Sequence, residues 1–438
     1  MNEREIFTAA IAIDDPVEQA RFLDDSCAGD SALRARLDLL IQTYRTAEDD
    51  GGLLEPPPMA IPAKVFAEAT PFVAAVGSQV SQNEGHAWSP STAEQDLAAG
   101  TMCGPYKLLE VIGRGGMGSV WMAEQQHPIR RRVAVKVINP GMDSRAVLAR
   151  FDAERQALAL MDHANIAKVL DAGATTDGRP YFVMELVRGV PITSYCDDNH
   201  LNVRQRLELF AETCRGVQHA HQKGIIHRDL KPANVLVAEY DGRPVVKVID
   251  FGIAKAVHER LTEKTLFTHF GQVVGTLEYM SPEQARLNQL DVDTRSDVYS
   301  LGVLLYELLT GTPPFEHQRL KEAAFDEVLR MIREEEPPRP SDRLSTSQTL
   351  PSIAANRSVE PAKLSRMIRG DLDWVVGKAL EKDRERRYPS ALDLAGDIAL
   401  FLADRPVSAG PPTWGHRVAK YVRRHRSAVL AVSLLLLT

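Results

Sequence analysis

The feature that most constrains this chain is a polar stretch set between apolar runs, Ile226-His227-Arg228-Asp229-Leu230-Lys231-Pro232-Ala233-Asn234. The apolar run 245–249 and then Asp250-Phe251-Gly252 follow it. Two carboxylates, an amide and an ammonium on loops beside buried strands suit a site that holds a divalent cation against phosphate. Mg²⁺ favours hard oxygen ligands, keeps several waters, and takes one or two protein carboxylates plus the phosphates. Asp250 and Asn234 fit that demand. Asp229 is then left to orient a hydroxyl and accept its proton, and Lys231 can reach a transferred phosphate as a point charge. Each residue alone has a plainer reading: His227 as a packed core histidine, Asp229 as a turn former, Asn234 as a cap. Two such motifs at this spacing outweigh those readings.

The composite closely resembles the catalytic and metal-binding loops of eukaryotic-type (Hanks-type) protein kinases, with Lys231 the form typical of the serine/threonine branch. The resemblance covers residues 104 to about 402. It implies an α+β, bilobal protein-kinase fold, with a small β-rich lobe over 104–187 and a larger helical lobe over 188–403. It also implies ATP and Mg²⁺ as cofactors and Ser/Thr hydroxyls of proteins as acceptors.

Strand-like alternation from Tyr106 leads into Ile112-Gly113-Arg114-Gly115-Gly116-Met117-Gly118-Ser119-Val120. Dinucleotide-binding proteins share a lone G-x-G-x-x-G, but there it opens a helix. Here Val120-Trp121-Met122-Ala123 continues as β, so the glycines are expected to cap a hairpin whose backbone closes over phosphates. Lys136 interrupts the apolar strand Val133-Ala134-Val135-Lys136-Val137. An ammonium there is costly to bury unless paired, and Glu154, on a helix predicted over 145–161, is its expected partner. By resemblance, Lys136 holds the α and β phosphates and Glu154 orients it. The nucleotide site implied in this way comprises 112–118, Val120, Ala134, Lys136 and Met184 at the back of the pocket. Glu185 and Val187 lie in the connection where adenine meets backbone groups.

Between Gly252 and Glu283 the chain carries Thr262, Thr265, Thr268 and Thr276, and it closes on Ser281-Pro282-Glu283. That ending resembles the family's A-P-E anchor with serine for alanine, a change from which no consequence is expected. The resemblance makes Thr276 an acceptor-specificity element. Thr268, then Thr265, are candidate autophosphorylation sites whose phosphate would meet Arg228. It also implies that Asp297, on a helix over 294–310, braces the catalytic-loop backbone and that Arg387 pairs with Glu283.

A chain of 438 residues exceeds one ordinary core. Its 44% hydrophobic and 25% charged residues are those of a globular protein. A net charge of −7 argues against a nucleic-acid partner. Cys27, Cys103, Cys196 and Cys214 form no C-x-x-C pair and read as ordinary thiols. Residues 1–48 are expected to form a small helical region without a secretory signal, and 49–103 a disordered linker. A helix over 203–222 should deliver the catalytic loop. The stretch 316–369 exceeds a minimal kinase: a helix over 320–335 is expected, then a Ser/Thr-rich surface loop. Helices over 371–380 and 390–402 close the domain. Residues 404–426 read as a basic juxtamembrane segment, and 427–438 as the start of a membrane-spanning helix. That run is shorter than the roughly 20 residues a span needs, and its basic flank would keep the kinase on the cytoplasmic side. A homodimer is compatible with this reading. The alternatives are a weakly catalytic ATP-binding scaffold, which would lack one of the polar groups above, and a small-molecule phosphotransferase, which would lack the anchor and Arg387.

Overall fold

The computed structural model describes residues 21–24, 26, 34, 97–115, 118–138, 161–251, 277–286 and 292–410. The chain divides into two compact units, 1–93 and 94–438. In the first, residues 21–24 are helical, Leu23 is buried, and Arg34 pairs with Asp24. The remainder of the expected N-terminal helices, and the linker as far as residue 96, lies outside the described residues.

In the second unit, alternating apolar residues produce six antiparallel strands: β1 (Met102–Cys103), β2 (Tyr106–Gly115), β3 (Gly118–Gln125), β4 (Arg131–Ile138), β5 (Val169–Ala174) and β6 (Pro180–Glu185). They lie in the order β1-β2-β3-β4-β6-β5. β4 is central, and its residues from Val133 to Ile138 are buried on both faces, Lys136 among them. The hairpin β2–β3 closes with Gly115 opposite Gly118, as the glycine pattern predicts. Gly118 has a second reason to be glycine. Its φ is +155°, and a Cβ would stand 2.1 Å from the Val137 carbonyl oxygen, so the hairpin tip leans directly on β4.

The expected linker is too long by several residues. Met102–Cys103 already pairs with β2, and the Cys103 side chain is fully buried in the sheet's core. A strand of two residues has no periodicity to announce it.

The helical lobe is built on α1 (Ile192–Asp198), α2 (Val203–Gln222) and α3 (Thr294–Thr310), with a small sheet of β7 (Val190–Pro191), β8 (Val235–Tyr240) and β9 (Arg243–Val248). α2 starts at a reciprocal cap, in which the Asn202 side chain accepts from the Gln205 amide and Gln205 returns the bond. α3 starts at Asp293 and ends at Gly311, whose φ of +84° suits the helix-terminating position. Buried nearly all round, α3 forms the axis of the lobe. At Gly302 it meets the end of α9 (Asp371–Ala379), where a Cβ would come within 2.8 Å of the Ala379 methyl, and α10 (Ala391–Leu402) closes the lobe.

The stretch 316–369 departs from expectation. The single helix over 320–335 is two, α4 (His317–Glu322) and α5 (Phe325–Glu334), and the expected surface loop is three more: α6 (Pro340–Thr346), α7 (Leu350–Ala355) and α8 (Pro361–Ile368). A proline within the first two positions starts each of the three. Leu344, Ala354, Leu364 and Ile368 are buried in the main core. Two buried arginines tie the segment in. Arg357 donates to the Leu308 carbonyl at the end of α3 at 2.8 Å, and Arg206 of α2 donates to the Asn356 carbonyl at 2.7 Å. Ser341, whose composition suggested exposure, is buried with its amide and hydroxyl on Asp373 at 2.9 and 2.7 Å. Among the described residues no helix is long and apolar enough to cross a membrane. Residues 411–438 lie outside them.

Because Asp373 also receives the Gly370 amide at 3.1 Å, replacing it strands three donors. Asp373→Ala is expected to lower the unfolding free energy by roughly 2–4 kcal/mol. A denaturant melt showing a loss below about 0.5 kcal/mol would return the segment to the status of a surface loop.

Candidate active site

The catalytic loop hangs from one carboxylate. Asp297, in the first turn of α3, is fully buried and accepts the His227 amide (Oδ2, 2.8 Å), the Arg228 amide (Oδ1, 2.8 Å) and a contact from His221 Nε2 at 2.7 Å. Burial alone would raise its pKa. The bonds from His221 and the His227 backbone outweigh burial and hold the carboxyl below its usual range. The brace implied for Asp297 is therefore present, and His221 is a partner the sequence reading did not identify. Its place at the end of α2, six residues before His227, was the available signal.

His227 links this loop to the next. Its Nε2 lies 3.0 Å from the Ile249 carbonyl, its Nδ1 3.3 Å from the Asp229 amide, and its ring 4.7 Å from that of Phe251. A carbonyl only accepts and an amide only donates, so the ring carries its proton on Nε2. Burial lowers its pKa, which keeps the imidazole neutral.

Asp229, Lys231 and Asn234 converge. Lys231 Nζ lies 3.0 Å from Asp229 Oδ2, and Asn234 Nδ2 donates to the same oxygen at 3.2 Å and to the Asp229 carbonyl at 2.8 Å. The turn Pro232–Asn234 then leads into β8, and the Asn234 carbonyl accepts the Ile249 amide at 2.9 Å. Asn234 and Asp250 thus stand side by side at the open end of the β8–β9 pair. Asn234 commits its amide nitrogen to Asp229, and this turns its oxygen into the acceptor available to a cation. Asp250 has φ +57° and Arg228 φ +63°, left-handed conformations that cost non-glycine residues on the order of 1 kcal/mol. Strain of this kind at two loop residues persists only where surrounding bonds over-determine it.

From the sheet lobe, Lys136 reaches this cluster and forms an ion pair with Asp250. The expected partner, Glu154, lies outside the described residues, as do Gly116, Met117, Gly252 and the four threonines between 252 and 276. Val120 stands opposite Lys136 across β3–β4 and opposite Gly113 across β2–β3, which places the glycine hairpin beside the ammonium. Arg114 and Gly115 sit exposed at the hairpin tip, and Ile112 is half exposed. Ala134 pairs with Met184 across β4–β6, both buried. The Glu185 side chain turns away to Lys247 at 3.1 Å, while its amide bonds the Lys168 carbonyl at 2.8 Å. Val187 follows in the partly buried connection to β7.

The anchor is built as implied. Arg387 makes a two-pronged bond to Glu283 at 2.7 and 2.8 Å, Ser296 adds a third at 2.6 Å, and all three side chains are buried. Burial would raise the Glu283 pKa, and the guanidinium lowers it below the ordinary value. Ser281, expected to be inconsequential, is fully buried, and its hydroxyl lies 3.1 Å from Gln284 Oε1. Gln284, which the sequence reading passed over, donates to the Arg228 carbonyl at 2.9 Å.

Residues 106–391 match the protein kinase domain family. The serine/threonine-protein kinase Pkn1 of Myxococcus xanthus is 37% identical over 318 residues, 72% of this chain and 41% of that protein. PknB of Mycobacterium leprae is 37% identical over 309 residues, covering 69% and 44%, and PrkC of Bacillus subtilis is 35% identical over 305 residues, covering 69% and 41%. The chain therefore spans less than half the length of these curated relatives. The PknI kinase domain of Mycobacterium tuberculosis superposes with a TM-score of 0.49 at 25% identity, covering 70% of this chain and 99% of that one.

A buried neutral imidazole makes stability depend on pH with a definite sign. The folded pKa of His227 lies below the unfolded value of about 6.5, so its contribution is complete above about pH 6.5 and is lost as pH falls through the folded pKa. The melting temperature should therefore decline on the acid side of about pH 6.5. His227→Tyr, which keeps a ring and a donor but cannot gain a proton, should flatten that decline. Identical slopes in both proteins would show that His227 is not the group titrating.

Proposed function

The chain belongs to the protein kinase family, and on that premise we propose that it transfers the γ-phosphate of ATP to serine and threonine hydroxyls of other proteins. The observation that carries this reading is the convergence of Asp229, Lys231 and Asn234 in one cluster, tied through the Asn234–Ile249 bond to Asp250, which in turn meets Lys136. The relatives named as serine/threonine kinases support the same acceptor class.

In this reading Asp229 orients the incoming hydroxyl and takes its proton as the oxygen attacks phosphorus. Lys231, already on the Asp229 carboxylate, offsets charge on the transferred group. Lys136 holds the α and β phosphates, with Glu154 as its orienting partner, beneath the glycine hairpin of residues 112–118 and Val120. Met184 and Ala134 form the apolar wall for the base, and the backbone of Glu185 and Val187 meets its edge. The donor set fits Mg²⁺, since the Asp250 carboxylate and the Asn234 amide oxygen are hard ligands of the number that ion takes from protein. Bound Mg²⁺ neutralises phosphate charge in the transition state.

Several finer features belong to the same proposal. Residues 1–48 form a helical region and the linker that follows separates it from the kinase domain. Thr268 and Thr265 accept phosphate that Arg228 then holds, and Thr276 selects hydroxyl acceptors. Residues 427–438 begin a membrane-spanning helix behind the cations Arg417, Lys420, Arg423, Arg424 and Arg426, with the kinase on the cytoplasmic side; the support is the sequence pattern alone. Dimerisation is compatible with this arrangement.

Incubation with labelled ATP should give protein phosphorylation that requires Mg²⁺. Asp229→Asn should reduce the rate by roughly 10²- to 10⁴-fold, the usual contribution of a general base, and Lys136→Met should do so without loss of cooperative melting. Wild-type rates in either variant would remove the roles assigned. Mass spectrometry after incubation should place phosphate between residues 252 and 283, and its absence there would exclude autophosphorylation of that segment.

A further inference from the structure

We propose that Gln284 is a positioning residue for phosphoryl transfer, one that clamps the Arg228 carbonyl and so sets the peptide on which Asp229 is mounted. The inference rests on the kinase reading above and adds to it a residue outside the metal and phosphate ligands.

The orientation of the Gln284 amide follows from its neighbours. The Ser281 backbone N–H points at one end of it, at 3.0 Å, and the Ser281 hydroxyl lies 3.1 Å from the same atom. A backbone N–H can only donate, so that end is Oε1 and the other is Nε2. Nε2 then faces the Arg228 carbonyl at 2.9 Å as a donor. Ser281 fixes the amide, and the amide holds the catalytic loop.

Arg228 is the loop residue most in need of holding. Its φ of +63° is unfavourable for a side chain of that size, and it immediately precedes Asp229. Its N–H is fixed by Asp297 at 2.8 Å and its carbonyl by Gln284, while the next N–H, of Asp229, faces His227 Nδ1 at 3.3 Å. The 228–229 peptide is thus held at both its oxygen and its nitrogen. Rotation of that peptide plane is the motion that would swing the Asp229 carboxylate away from Lys231 and Asn234. Gln284 opposes it from the carbonyl side.

These bonds close a ring. Gln284 follows Glu283, Glu283 accepts from Ser296, and Ser296 precedes Asp297, which returns to the loop at Arg228. The buried Arg387–Glu283 pair gives the ring a rigid corner. A purely local reading treats Gln284 as a helical cap for Ser281. The Nε2 bond to a residue fifty-six positions away is what that reading leaves unexplained.

The two ends of the amide can be separated experimentally. Gln284→Glu keeps an acceptor for Ser281 but has no donor for Arg228, and Gln284→Met, unbranched and of similar length, loses both. Steady-state phosphorylation of dephosphorylated casein with Mg²⁺ and ATP gives kcat and the KM for ATP, and thermal melting reports the fold. Both variants should lower kcat by about five- to tenfold, the effect of losing the bond to the Arg228 carbonyl that they share, with the ATP KM unchanged and cooperative melting retained. A Gln284→Glu variant with wild-type kcat would overturn the inference, since the Ser281 contact alone would then suffice. A loss of rate that tracks a raised ATP KM or lost cooperative melting would assign Gln284 to the fold and overturn it equally. If wild-type protein transfers no phosphate under these conditions, the kinase reading fails, and this inference fails with it.

Discussion

A buried negative charge must be satisfied from every side, and in this protein the charge that organises the rest is the Asp297 carboxylate. Taking it out of water costs several kcal/mol unless donors replace the lost hydration. Two of those donors are consecutive backbone amides of the catalytic loop, from His227 and Arg228. The loop cannot leave without orphaning the carboxylate, and the carboxylate cannot leave because α3 is the buried axis of the helical lobe. Its place in the first turn adds a favourable interaction with the helix dipole. Core packing is converted in this way into a fixed position for a surface-facing acid.

From that point the constraint passes outward through hydrogen bonds. His227 joins the loop to Ile249 and packs on Phe251, and the Asn234 carbonyl takes the Ile249 amide, so Asp250 and Asn234 share one frame with Asp229. Lys136 arrives from the opposite lobe on β4, a strand buried on both faces, and meets Asp250. A cation on the sheet and a carboxylate on the helical lobe that seek each other's charge hold the cleft's two walls in register. Phosphoryl transfer asks little else of a protein than such positioning of charge.

Much of this site was legible in the sequence because its chemistry demands residues that violate their surroundings. Lys136 inside an apolar strand and Asp250 directly after one stand out for that reason, and so does the density of polar groups between Ile226 and Asn234. The Asp297 and Arg387 contacts were implied by resemblance and are present. What stayed hidden depends on partners distant in the chain. Arg357 reads as a surface arginine until the end of α3 supplies carbonyls for it to cap. Ser341 and the prolines of 340–361 read as loop composition, although serine on a buried carboxylate and proline at a helix start are equally good uses of them. Gln284 and Ser281 carry no pattern of their own, since one amide between two loops is a fact of three dimensions.

The Asp297 bracing holds Asn234 and Asp250 in one frame with Lys136, and their proposed role as the metal ligands follows from that frame. That role is tested most directly by a crystal structure of the protein with Mg²⁺ and a non-hydrolysable ATP analogue. The account predicts the Asp250 carboxylate and the Asn234 amide oxygen on the metal, Lys136 on the α and β phosphates, and the Asp297 bonds to His227 and Arg228 unchanged. Metal held by other groups, or a catalytic loop that must abandon Asp297 to reach the nucleotide, would contradict it.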